Sequence, residues 1–149
     1  MKAQDLRIGN LVTIDNEEFH PTMKDIPLQV TQILERESLE RGIWTHAVSL
    51  EYPNKLKNVY YQNFGQYLEF IKPIPLTEEW LIKFGFEPEL KNKDSINGEF
   101  IVYWKYPFVF NTNHGWWLYS KQLKIQPEYV HQLQNLYFAL TGEELTIKP

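Results

Sequence analysis

Residues 127–142 read PEYVHQLQNLYFALTG, and the spacing of their apolar side chains decides the fold class. Val130, Leu133, Tyr137 and Leu140 recur at steps of three and four, which places them on one face of a helix, widened by Leu136 and Ala139. Pro127 suits a first helical turn, where its missing N–H costs nothing. Glu128 beside it favours the positive end of the helix dipole. Gly142 fits the left-handed position just past a helix end. A helix this apolar on one side needs a sheet to cover, and the chain before it is rich in strand patterns.

Immediately upstream, residues 100–104, 108–111, 116–120 and 123–126 are aromatic and β-branched runs. They predict an antiparallel sheet with turns at Lys105-Tyr106-Pro107 and Asn113-His114-Gly115. Residues 89–98 are polar and predict a loop ending in an Asn97-Gly98 turn. Residues 77–86 predict a second helix. Thr77 is its N-cap, Glu78 and Glu79 fill the first turn, and Trp80, Leu81 and Phe84 form its stripe. Gly85 and Pro88 stop it. Nearer the N-terminus, residues 11–14, 28–34, 44–52 and 67–71 read as strands, with a further short strand at 59–61. Residues 35–42 form a charged hairpin tip, and residues 15–27 a loop.

The resulting class is α+β: a small SH3-like β-barrel or rolled sheet, then helix, antiparallel sheet and C-terminal helix. Pro73 and Pro75 mark the internal boundary. Residues 1–76 are then a β-rich barrel-like unit and residues 77–149 an α+β unit. The short linker predicts that the two pack together, in the limit as one compact domain.

Composition narrows the function classes. The 149 residues carry a formal charge of −4 and no cysteine. Residues 1–75 hold 8 basic and 10 acidic side chains, and residues 76–149 hold 7 and 9, so neither part is a basic domain. Nucleic acid is a disfavoured partner on that balance. Without cysteine, disulfides, thiolate nucleophiles and thiolate metal sites are excluded. No stretch has the apolar length of a signal peptide or a membrane span, which predicts a soluble cytoplasmic protein.

Three blocks, DLRIGN at residues 5–10, IPLTEEWLIKFGFE at 74–87 and YVHQLQNLYFALTGEEL at 129–145, resemble a group of small proteins encoded in Bacteroidetes genomes and in the phages and mobile elements that infect them. The blocks run in the same order and span most of the chain. The resemblance implies a bacterial or phage intracellular setting. It carries over no activity, cofactor or site residue.

The remaining candidates are read from residue chemistry. His20, His46, His114 and His131 show no metal-ligand spacing, so no metal is expected. His131, among Gln132, Gln134 and Asn135, is expected to face solvent or bond to the sheet. No serine lies in a nucleophile elbow, no glycine loop cradles phosphate, and no catalytic residue or cofactor is assigned. The carboxylate pair Glu78-Glu79 is explained by its helix N-terminus. Aromatic residues beside a polar loop suit a stacking pocket for a planar ligand: Trp116, Trp117, Tyr103 and Trp104, with Asn113 and His114. Neighbouring strand residues face opposite ways, so only one of Trp116 and Trp117 can serve a given surface. If the ligand carries phosphate, Arg7, Arg36 or Arg41 is the expected partner. The functional expectation is a non-catalytic binding module for a small planar ligand such as a nucleotide. The alternatives are a protein-interaction or homo-oligomeric module using exposed aromatics, and an SH3-like nucleic-acid-associated protein drawing on the Lys55–Phe64 run KLKNVYYQNF.

Overall fold

The computed structural model describes residues 2–15, 26–37, 44–52, 64–94 and 98–148. The protein is α+β, with two five-stranded antiparallel sheets. It divides into two compact units. The first comprises Met1–Pro75 and Tyr129–Glu144, the second Leu76–Glu128 and Leu145–Pro149. The C-terminal helix therefore belongs with the N-terminal strands, although it follows the second sheet in sequence.

In the first unit, β1 (Leu11–Ile14), β2 (Leu28–Glu37), β3 (Trp44–Glu51), β4 (Phe64–Tyr67) and β5 (Ile71–Lys72) are arranged β4-β3-β2-β1-β5. The sheet is open, with β4 and β5 at its edges, and this corrects the expected barrel. β2 and β3 form the expected long hairpin, paired from Gln29 with Glu51 to Glu37 with Trp44. A register shift between Val30 and Gln32 adds one residue to β2. That bulge reverses the strand's alternation. Ile33, on the opposite side from Leu28 and Val30 by simple counting, packs against the same core with them. The other members include Leu6, Val12, Ile14, Val48, Leu50 and Ile71. The predicted strand at 59–61, most of the 15–27 loop and the hairpin tip after residue 37 lie outside the described residues.

Helix α2 (Val130–Thr141) buries Val130, Leu133 and Tyr137 as the periodicity requires. It starts three residues later than predicted, and Gly142 takes the left-handed conformation at φ 75°. Other positions depart from expectation. Leu140 is 47% exposed, while His131 and Gln134 are buried. Gln134 is buried for a reason: its Oε1 accepts the Leu11 N–H at 2.8 Å, and its Nε2 donates to the Gly9 carbonyl at 3.3 Å. Next to it, Asn135 accepts from Asn10 Nδ2 at 2.9 Å and donates to the Asp5 carbonyl at 2.9 Å. The segments DLRIGN and YVHQLQNLYF thus interlock through their polar side chains. The helix side chains satisfy backbone groups that the N-terminal segment leaves open at residues 5, 9 and 11.

In the second unit, β6 (Glu87–Asp94), β7 (Gly98–Lys105), β8 (Phe108–Asn111), β9 (Gly115–Leu118) and β10 (Lys121–Gln122) form a meander. The predicted polar loop at 89–98 is largely strand β6, paired with β7. Its polar composition suits an edge, and an edge also tolerates Pro88. The strand predicted at 123–126 is not formed; β10 lies just before it, at residues 121–122. Helix α1 (Glu78–Lys83) has no side-chain cap from Thr77. Its C-terminus is as expected. Gly85 at φ 79° donates to the Ile82 carbonyl, and Phe86 N–H folds back onto the Leu81 carbonyl at 2.9 Å. That pair of bonds is a Schellman stop. The C-terminal tail belongs to this unit: Leu145 is buried, and Lys148 N–H donates to the Lys83 carbonyl at 2.8 Å.

Candidate functional site

Strand alternation sorts the aromatic residues of the second sheet onto two faces. Tyr103 lies opposite Phe110, and Phe110 opposite Trp116. These three side chains form one cross-strand row on the inner face. Trp104, Val109 and Trp117 form the equivalent row on the outer face. Trp116 is 2% exposed and packs between Phe86, Phe108 and Phe110, with centroid separations of 5.7, 6.4 and 5.0 Å. Its backbone is fixed as firmly as its ring. Trp116 N–H donates to Gln126 Oε1, and the Trp116 carbonyl accepts from Leu123 N–H, both at 2.8 Å.

On this inner face lies a cleft of about 410 Å³, lined by Leu76, Thr77, Glu78, Leu81, Phe110, Thr112, Trp116 and Pro127. That size is within the range of small-molecule pockets, and so is the pattern of apolar walls with a few polar groups. Phe110 offers aromatic surface, and Trp116, itself buried, backs it at a centroid separation of 5.0 Å. Thr112 Oγ1 accepts the Ile101 N–H at 3.2 Å, which leaves its own O–H to donate elsewhere. Among the described residues Glu78 is the only charged one of the lining. One of its oxygens, Oε2, accepts a short hydrogen bond from the Tyr103 phenol. The carboxylate and its burial hold the Tyr103 hydroxyl protonated, with its pKa pushed up to about 12, so this bond persists across the physiological range. Glu78 Oε1 has no protein partner among the described residues.

Of the residues singled out in the sequence, Trp116 lines the cleft, and Tyr103 supports it by holding Glu78. Trp104, 45% exposed, and Trp117 are on the opposite face of the sheet. Asn113 and His114 sit in the β8–β9 turn, where both backbone N–H groups donate to Asn111 Oδ1 at 2.8 and 3.1 Å. Arg7 belongs to the first unit. It pairs with Glu144 Oε1 at 2.6 Å and lies 3.8 Å from the centre of the Phe138 ring. Arg41 and the side chain of Arg36 lie outside the described residues. Among the described residues no lining residue of the cleft is basic. Sequence reasoning missed Glu78, Thr77, Thr112 and Phe110 as site residues. Glu78 is fully accounted for by helix electrostatics until Tyr103, 25 residues later, is seen to hold it.

The first unit has a second depression, about 520 Å³, lined by Asp5, Pro73, Tyr129, His131, Gln132 and Asn135. Asn135 is engaged as described above, and Gln132 Oε1 accepts the Tyr129 N–H. His131 stacks on Tyr129, with ring centroids 5.9 Å apart, and its Nδ1 is buried without a hydrogen-bond partner. Because Nδ1 is itself sealed from solvent, it offers a ligand nothing in this arrangement. The aromatic cleft is the better-built site. Among the described residues no cluster of His, Asp or Glu could hold a metal ion, and no helix is long and apolar enough to cross a membrane. No family model, curated protein or solved structure matches the chain.

Proposed function

We propose that the chain is a non-catalytic binding module whose cleft on the second sheet takes a small planar ligand of the nucleobase kind. The observation that carries this reading is the cleft's composition: Phe110 as stacking surface, backed by the buried Trp116, with Glu78 and Thr112 as oriented polar groups. Stacking supplies affinity for any flat ring, and the polar groups select its edge. The resemblance of the three sequence blocks to Bacteroidetes and phage proteins supports an accessory role in a bacterial host cytoplasm.

A thermal-shift panel tests the reading, using neutral heteroaromatics, nucleosides, and mono-, di- and cyclic nucleotides. A ligand present at a hundredfold its Kd stabilises by about 2.7 kcal/mol. For a chain of this size that raises Tm by about 5–10 °C. At least one planar compound is expected to produce such a rise and to quench tryptophan fluorescence. A flat response across the panel contradicts the proposal.

A second reading is supported by exposed aromatic residues of the second unit. Trp104, Tyr106 and Tyr119 are 45%, 76% and 62% exposed. Exposed aromatic residues of this kind anchor protein interfaces. Light scattering at two concentrations tests whether the chain self-associates. A strict monomer at both removes the homo-oligomer form of this reading.

A further inference from the structure

We infer that Glu78 selects ligands bearing two parallel N–H donors on one ring edge, the edge that a guanine base or an aryl amidine presents. The inference rests on the reading of the cleft as a planar-ligand site and specifies its chemistry.

An ionised carboxylate only accepts hydrogen bonds, through two oxygens set side by side. Glu78 lines the cleft together with Phe110, which the buried Trp116 backs, so a ring stacked on Phe110 turns an edge toward polar groups. The Tyr103 phenol donates to Oε2 and fixes the carboxylate's orientation. Oε2 retains a second lone pair, and Oε1 is unpartnered among the described residues. Two parallel N–H groups therefore meet two acceptors in a charge-assisted fork. Guanine supplies them from its ring N–H and its exocyclic amino group. Inosine keeps the ring N–H and lacks the amino group. Adenine has no ring N–H beside its amino group, and its unprotonated ring nitrogen would face a carboxylate oxygen, acceptor against acceptor. A phosphate is disfavoured in the cleft, because Glu78 has the same sign and no described lining residue is basic. Tyr103 is a positioning residue here: it acts through Glu78.

The test is isothermal titration of the intact protein with guanosine, inosine, adenosine, guanosine monophosphate and benzamidine, repeated on Glu78→Gln. Guanosine is expected to bind about tenfold more tightly than inosine, since inosine can make only one of the two bonds of the fork. Adenosine is expected below both, and the monophosphate below guanosine. In Glu78→Gln the guanosine preference over inosine falls about tenfold, because the amide replaces one acceptor with a donor. Glu78 is exposed, so the variant is expected to keep the wild-type circular dichroism spectrum. The wild-type ligand series stands without the variant. Benzamidine binding with no guanosine binding supports the paired-donor chemistry and assigns an amidine-type occupant. Planar compounds that bind with no difference between guanosine and inosine, and no effect of Glu78→Gln, overturn the inference while the cleft reading stands. No binding by any planar compound overturns both.

Discussion

Burial holds the His131 imidazole below the ordinary histidine value of 6.5, against an upward pull from Asp5. As pH falls through 6.5 the unfolded chain takes up a proton that the folded protein resists. This contribution to stability is therefore full above pH 6.5 and declines on acidification. His131→Phe keeps a ring against Tyr129 and removes the unpartnered Nδ1. Urea denaturation should find it within about 1 kcal/mol of wild type at pH 7 or more stable. It should also show a smaller loss between pH 7 and pH 5. An equal loss in both proteins would place the titration elsewhere. Tyr103 gives the alkaline counterpart. Its hydroxyl deprotonates at about 12 in the folded protein and at about 10 in the unfolded chain. Its contribution to stability is thus present below pH 10 and lost as pH rises toward 12. Ultraviolet titration should find one tyrosine ionising late, and Glu78→Gln should return it toward the ordinary value.

At the scale of elements, α2 separates what periodicity reveals from what it hides. Leu133 is fully buried and Leu140 is 47% exposed, although both belong to the same predicted stripe. Leu133→Ala should cost about 2–5 kcal/mol in chemical denaturation. Leu140→Ala should stay within about 0.5 kcal/mol. Gln134→Ala should cost about 1–3 kcal/mol, because it leaves the buried Leu11 N–H without its partner. Equal effects at Leu133 and Leu140 would contradict this placement of the helix. The turn chemistry of Gly85 and Gly142 was legible because only a positive φ satisfies both stops. The burial of His131 and Gln134 was not. Gln134 reads as exposed until its partner, the backbone of residues 9 and 11, is in place, and His131 is buried by packing on Tyr129 rather than by a bond at Nδ1. The β2 bulge was hidden for a related reason: alternation counts residues and cannot see one that has no partner.

At the scale of the molecule, each unit is completed by a segment from the far end of the chain. Tyr129–Glu144 joins the first unit and Leu145–Pro149 the second. A hydrophobic stripe states which face of a helix is buried but not which sheet buries it, so this exchange could not be read from residue order. Removing residues 145–149 uncovers the site of Leu145, a fully buried leucine. Loss of that burial should lower stability by about 1.5–3 kcal/mol. An unchanged denaturation midpoint would make the tail dispensable. The two-faced sheet was legible from Trp116 and Trp117 alone, because adjacent strand residues must diverge. The cleft's carboxylate was not, since it comes from a helix that the sequence explains without it.

The most direct measurement is an NMR titration that follows the tryptophan indole N–H signals as a planar ligand is added. The cleft account predicts that Trp116 shifts, together with the backbone amides of Thr77, Glu78, Phe110 and Thr112, while Trp104 and Trp117 hold still. Shifts confined to Trp104 and Trp117, or none at millimolar ligand, would contradict it.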